Sequence, residues 1–248
     1  MNLIITDNLV RAWQSVKGSK WPIWAASLAW IGSAGIILLI AWVISFFIPP
    51  AIAFHPITIL SLTWVIIMIT APLFAGMNMI AIKHVRGEPI SIRTGFQYFH
   101  RWGSLAGAFA VISVLSAALI LIFSLFLNVI VLPFVSPNIL NHWIMTALFA
   151  CISVVLFNLA YALLMFVVPL IADRRLSIRQ SLQQSLPITK THWLPLFTLL
   201  ILFYGLNLLS LLICEIPFIG LICYIVINIW LLPFIFLNIG VAYNQLLG

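Results

Sequence analysis

Charge is the scarce commodity of this chain. Of its 248 residues, 11 are Lys or Arg and 4 are Asp or Glu, which is 6% charged, against about 25% in an ordinary soluble domain. With 65% hydrophobic residues and a mean hydropathy of +1.25, too few polar side chains remain to cover a water-facing surface. A soluble globule is excluded. Disorder is excluded too, because it needs low hydrophobicity and high charge. Three cysteines are too few for a disulfide-stapled secreted domain. The longest polar connections, 83–101 and 173–192, are too short for a separate water-soluble catalytic module. Alternating ten-residue strands with a polar lumen, the mark of an outer-membrane barrel, are missing as well. What is present is long Ile/Leu/Phe/Ala runs, and they predict an all-α polytopic membrane bundle forming one domain over 1–248.

A helix crossing a hydrocarbon core of about 30 Å needs about 20 residues. Lys20 and Lys83 bracket 62 uncharged residues, and Pro49 and Pro50 divide them. Arg101 and Asp173 bracket 71 more, divided between Pro133 and His142. After His192 the only charge is Glu215, beside Pro217. Six spans follow, near 21–48, 55–82, 104–132, 143–171, 193–213 and 218–246. The first apolar stretch is longer than the roughly 7–15 residues of a signal-peptide core, so it is expected to stay as an uncleaved first helix.

Every basic residue then falls on one side. Arg11, Lys17 and Lys20 precede the first span. Lys83, Arg86, Arg93 and Arg101 follow the second, and Arg174, Arg175, Arg179 and Lys190 follow the fourth. The positive-inside rule places both termini and both polar loops in the cytoplasm. Trp21, Trp24, Trp102 and Trp193 stand beside the basic clusters, with Trp143 near the other face. That is the level where an apolar ring with a polar N–H is favoured.

Each odd-numbered span is preceded by a weakly amphipathic segment. Leu9, Val10, Trp13 and Val16 share a face in the first. Ile92, Phe96, Phe99 and Trp102 do so in the second, and Ile178, Leu182 and Leu186 in the third. Apolar spacing of three and four on a short basic helix suits the membrane surface. Ser91-Ile92-Arg93 and Ser177-Ile178-Arg179 lie 86 residues apart, and Pro49, Pro133 and Pro217 are 84 apart. The chain therefore reads as three hairpin units, 1–86, 87–172 and 173–248, each with a cytoplasmic interfacial helix, a span out and a span back. Their pseudo-symmetry axis would lie along the membrane normal.

Chemistry is sparse. No ionisable residue lies in the middle of a span, where membrane enzymes and pumps place them. Glu215 reads as an interfacial acid at a turn. His55, His84, His100, His142 and His192 lack metal-motif spacing. Cys214 and Cys223 are near enough in sequence to pair, but free apolar thiols are the expectation. No Walker loop, G-x-S-x-G or H-E-x-x-H occurs. No catalytic residue, metal or cofactor is expected, and no nucleic-acid partner. Asn78, Asn158 and Asn238 are candidates to line a cavity, with hydrogen bonding between helices as the favoured alternative. Pro72, Pro169 and Pro233 are expected to kink the returning helices and free backbone carbonyls.

Pro169-Leu-Ile-Ala-Asp-Arg-Arg followed by Ile178-Arg-Gln-Ser-Leu-Gln-Gln-Ser185, with Pro72 to Gly95 and its Arg86-Gly87-Glu88, resembles a group of uncharacterised bacterial six-helix inner-membrane proteins. That family is related to the membrane domain attached to some glycerophosphodiester phosphodiesterases. The resemblance implies a bacterial cytoplasmic membrane and no established reaction, since the catalytic domain of those enzymes has no counterpart here. Mitochondrial carriers also repeat a two-span unit three times, but their Pro-x-acid-x-x-base signature does not follow Pro49, Pro133 or Pro217.

The expected function is non-enzymatic: lipid binding, membrane organisation, or service as a membrane subunit of a complex. Transport of a small neutral or amphiphilic substrate is the alternative. Membrane lipids, anionic ones in particular, are the expected partners, beside a membrane-protein partner. Lys83, Arg86, Arg93, Arg174, Arg175 and Arg179 are the candidate headgroup contacts, arginine through paired N–H donors and lysine as a point charge. The topology has a direct check. Reporter fusions at Met1 and at Gly248 should both report cytoplasm, and a periplasmic signal from either end would sink the six-span reading.

Overall fold

Residues 4–49, 56–126, 142–214, 216 and 219–248 are described by a computed structural model. His55, Asn128, Pro133, Glu215 and Pro217 lie outside the described residues, as do the side chains of His142, Trp143 and Cys214. The elements in chain order are α1 (Ile5–Ser45), α2 (Pro56–Val85), α3 (Ile92–Phe96), a 3₁₀ turn (Phe99–Arg101), α4 (Trp102–Phe126), α5 (His142–Leu164), α6 (Val167–Asp173), α7 (Ile178–Thr191), α8 (Trp193–Cys214) and α9 (Gly220–Leu247). No strand occurs among the described residues. Six helical segments are long and apolar enough to cross a membrane, so the chain is a multi-pass membrane protein.

α1 has 41 residues, about 60 Å at 1.5 Å per residue, twice a bilayer core. It breaks at Lys17 (ψ 119°) and Gly18 (φ 100°), the second a backbone conformation that glycine adopts without a Cβ penalty. At the break the Ser15 carbonyl accepts from His84 Nε2 at 2.9 Å and from Ser19 Oγ at 3.1 Å. Pro22 falls in the first turn beyond the break, where a missing N–H costs little. The other odd spans also start from a separate helical piece. α3 and the 3₁₀ turn precede α4, and α7 precedes α8 across His192. The two Ser-Ile-Arg triplets are helix starts. Ser177 Oγ accepts from Gln180 N at 3.3 Å, and Gln180 Oε1 accepts from Ser177 N at 3.0 Å. Thr94 Oγ1 likewise accepts from Ser91 N at 3.3 Å, the reciprocal pattern of a capping box.

α1 packs on α2 and α9, which also touch each other; α4 packs on α2 and α5; α8 packs on α5 and α9. The three returning helices α2, α5–α6 and α9 bury their ends nearest the basic residues. Ile80, Ile82, Phe166, Leu170, Ile171, Leu237 and Tyr243 are fully enclosed there. Away from that end, large apolar side chains such as Leu38 and Trp42 on α1, Phe47 just beyond it, and Leu121 and Ile122 on α4 are exposed. Acyl chains suit such a surface and water does not.

Packing at the basic end needs backbone-to-backbone approach. A Cβ on Gly76 of α2 would stand 2.0 Å from the Gly95 carbonyl oxygen of α3, so no larger residue fits. Gly76→Ala should cost about 1–3 kcal/mol by overpacking, read as a lower unfolding midpoint of the detergent-solubilised protein. Gly103→Ala, where an added Cβ meets nothing within 4 Å, should leave the midpoint unchanged. Equal midpoints for both variants would contradict the close approach.

Candidate functional site

The basic end is organised by how α2 stops. Glu88 N donates to Lys83 O at 2.9 Å and Gly87 N to His84 O at 3.0 Å, with Gly87 at φ 75°. This is the glycine-terminated helix end known as a Schellman motif, and it fixes Arg86 at the last helical turn. The Arg86 guanidinium then forks onto Asp173 at the end of α6, with Nη1 to Oδ1 at 3.0 Å and Nη2 to Oδ2 at 2.8 Å. Its Nε donates to Asn244 Oδ1 of α9 at 2.8 Å, and Asn244 Nδ2 donates to Ile82 O of α2 at 3.1 Å. Tyr243 Oη donates to Asp173 Oδ2 at 3.0 Å, and the guanidinium carbon stands 5.7 Å from the Tyr243 ring centroid, within cation–π reach. Glu88 Oε1 adds a looser contact to Arg86 at 3.7 Å. The hydrogen bonds to the Asp173 carboxylate hold the Arg86 pKa above its ordinary value, against the opposing effect of burial.

Two further arginines serve helix ends. Arg101 Nη1 donates to Ile171 O of α6 at 3.2 Å, and Arg174 Nη2 donates to Leu247 O at the end of α9. The six candidate headgroup contacts are therefore two kinds of residue. Arg86 and Arg174 are engaged by the protein itself. Lys83, Arg93, Arg175 and Arg179 make no ion pair or side-chain hydrogen bond among the described residues, and the three arginines are exposed. Arg175 is carried outward at a positive φ of 57°.

The three segments ahead of the odd spans differ in what they bury. Asn8, Ala12 and Val16 are buried on the first, Thr94, Gly95 and Tyr98 on the second, and Ser181, Ser185 and Thr189 on the third. Val10, Trp13, Ile92, Phe96, Phe99 and Leu186 are left exposed. Ile92, Phe96, Phe99 and Leu186 face away from the core, whereas Trp13 packs on Trp230 and Phe234 of α9, and Ile178 and Leu182 pack against the core.

Asn78, Asn158 and Asn238 are buried on α2, α5 and α9 but do not meet around a cavity. Each Nδ2 donates to the carbonyl four residues back in its own helix, Phe74, Val154 and Phe234, at 2.9, 2.8 and 2.7 Å. The favoured expectation of bonds between helices is thus corrected for these three: in apolar surroundings the nearest acceptor is the helix's own carbonyl. Asn228 is different, reaching Ser210 Oγ of α8 at 3.5 Å as well as Tyr224 O at 2.9 Å.

The proline-freed carbonyls do have partners. Pro72 leaves Met68 O without its helical donor, and Trp102 Nε1 donates to it at 2.8 Å. Pro233 does the same for Ile229 O, and Trp24 Nε1 donates at 3.0 Å. Near Pro169 the helix parts at Met165 and Phe166, and Thr189 Oγ1 donates to Leu163 O at 2.7 Å. Cys151 and Cys223 are free thiols. No group of three or more His, Cys, Asp or Glu able to hold a metal occurs among the described residues.

Sequence reasoning passed over Asp173, Tyr243 and Asn244. One signal was available: a lone carboxylate at the end of an apolar span needs a cationic partner. No protein-family model, curated protein or solved structure matches the chain.

Asp173→Ala should lower stability by about 1–3 kcal/mol, because it leaves Arg86 partly buried and unpaired. The charge-swapped pair Arg86→Asp with Asp173→Arg should recover part of the loss. Thermal unfolding in detergent measures both, and a wild-type midpoint for Asp173→Ala would remove the fork from the account of stability.

Proposed function

We propose that the chain is a non-enzymatic protein of a bacterial inner membrane that holds anionic lipid at a basic cytoplasmic face. The observation that carries this reading is the pairing of exposed bulky apolar residues with unengaged cations on the second and third of the segments ahead of the odd spans, Ile92, Phe96 and Phe99 with Arg93 and Leu186 with Arg179. A segment that leaves Ile92, Phe96 and Phe99 exposed needs another apolar phase, and acyl chains beside headgroups supply it. Arg93, Arg175 and Arg179 then stand where phosphates are. Each cation near an anionic surface contributes about 1 kcal/mol. On this reading the units 1–86, 87–172 and 173–248 are three hairpins, each with an interfacial helix, and both termini are cytoplasmic. The likeness to the membrane domain of some glycerophosphodiester phosphodiesterases agrees with a lipid-facing role. Membrane organisation or a subunit role in a larger complex would use the same face.

The test neutralises cations that the protein does not itself use. Arg93→Gln, Arg175→Gln and Arg179→Gln together should retain several-fold less co-purified anionic lipid at low salt. The difference from wild type should shrink at high salt, as exposed charges are screened. Unchanged retention in a correctly inserted variant would reduce these arginines to topology signals. Substrate-dependent flux in proteoliposomes would instead favour the transporter alternative.

A further inference from the structure

Viewed as three units, the junctions between neighbours are not alike. At two of them a tryptophan at the start of an odd span donates its indole N–H to the carbonyl that a proline frees on the adjacent returning helix. Trp102 does so to Met68 O of α2, and Trp24 to Ile229 O of α9. Those bonds draw the odd span against its neighbour. At the third junction, between α5 and the α7–α8 corner, Trp193 occupies the corresponding place. Its indole donates to no atom among the described residues, and the residue is 44% exposed. The Thr189 hydroxyl takes a carbonyl of the returning helix instead, at Leu163 O. The junction stays open as a groove of about 990 Å³, lined by Leu159, Leu163, Leu186, Pro187, Gln183, Lys190 and Trp193.

The lining is graded. Leu163 lies level with Thr189 through their hydrogen bond, and Leu159 lies one turn farther along α5, away from the basic end. Gln183, Lys190 and Trp193 lie on the α7–α8 corner. Lys190 is exposed and has no carboxylate partner among the described residues. The groove is thus almost wholly apolar, with Gln183, Lys190 and Trp193 lining it chiefly through carbon and Lys190 the one cation among its lining residues. Its volume falls in the range of about 300–1,000 Å³ typical of ligand sites.

We infer that this groove seats one anionic phospholipid, with an acyl chain along Leu159, Leu163 and Leu186 and its phosphate at Lys190, Gln183 and Trp193. The site rests on the lipid-binding reading above and shares Leu186 with it, but uses none of its arginines. It fits a single amphiphile, whereas the exposed arginines form a diffuse field. Charge complementarity selects an anionic headgroup, and the apolar depth selects a lipid over a soluble phosphate ester.

Native mass spectrometry of the full chain, delipidated and titrated with phosphatidylglycerol, phosphatidylcholine or glycerol phosphate, tests this. The wild type should bind one phosphatidylglycerol at least fivefold more tightly than later ones or than phosphatidylcholine, and glycerol phosphate should not compete. Lys190→Gln should weaken that first site at least fivefold. Leu186→Trp, which fills the groove from its exposed side, should weaken the first site for both lipids. Arg93→Gln, Arg175→Gln and Arg179→Gln together should leave it intact. Loss of the first site only in that triple variant would overturn the groove while upholding the basic face; the opposite pattern would uphold the groove and not the face. As a measurement on folded protein whatever the other variants do, phosphatidylglycerol with brominated acyl chains should quench wild-type fluorescence more than that of Trp193→Phe. Equal fractional quenching, or competition by glycerol phosphate, would overturn the proposal.

Discussion

An arginine and an aspartate that meet where an apolar bundle ends sit in a falling dielectric. Their attraction grows there, and so does the cost of removing both from water. Arg86 and Asp173 meet this with geometry. The guanidinium aligns two donors with the two carboxylate oxygens, a third donor goes to Asn244, and Tyr243 supplies a further donor to Asp173. Partial exposure, 27% for the arginine side chain and 16% for the aspartate, keeps both near the water boundary. The four residues belong to the end of α2, the end of α6 and the last turns of α9. One charged cluster therefore ties together the three returning helices on which α1, α4 and α8 lean.

Farther from that boundary the helices have little to draw them together, because lipid tails are as apolar as leucine. Contact then depends on fit and on the few polar groups that have no acceptor in hydrocarbon. Gly76 admits the Gly95 backbone, and a Cβ on Gly240 would lie 3.0 Å from the Ala81 carbonyl carbon. Prolines at 72 and 233 each free a carbonyl, and two tryptophans bring their indole N–H to it. A proline kink in this chain is an attachment point as well as a bend. Asn78, Asn158 and Asn238 spend an amide N–H within their own helices and contribute less to that attachment than their position in the spans suggested.

The membrane class and the six spans were legible in the sequence because they rest on composition and on run length, which need no knowledge of contacts. The Ser-Ile-Arg triplets were legible as a repeat, and their role as helix starts follows from local capping chemistry. Asp173 was legible only as the end of an uncharged run, since its partner lies 87 residues away and nothing local names it. The faces of the short helices show a subtler limit. Period 3.6 tells which residues share a face, and it grouped Ile92 with Phe96 and Ile178 with Leu182. It does not tell which face meets protein. Ile92 and Phe96 turn outward, as an apolar face can where the bilayer is the solvent, whereas Ile178 and Leu182 pack against the core beside Ser181, Ser185 and Thr189.

The same division governs the charges. Glu88 and Asp173 both converge on Arg86, so one cation absorbs two of the four acids. Asp7 lies in the first turn of α1, where the helix dipole favours a negative group. Arg101 and Arg174 are held by carbonyls, which satisfy their donors without cancelling their charge. No described carboxylate is left over for Lys83, Arg93, Arg175, Arg179 or Lys190. Most of the basic residues behind the chain's net charge of +7 are thus not neutralised within the described bundle. Whatever balances them must come from outside the chain, and at the edge of a membrane a concentrated source of negative charge is the anionic lipid headgroup.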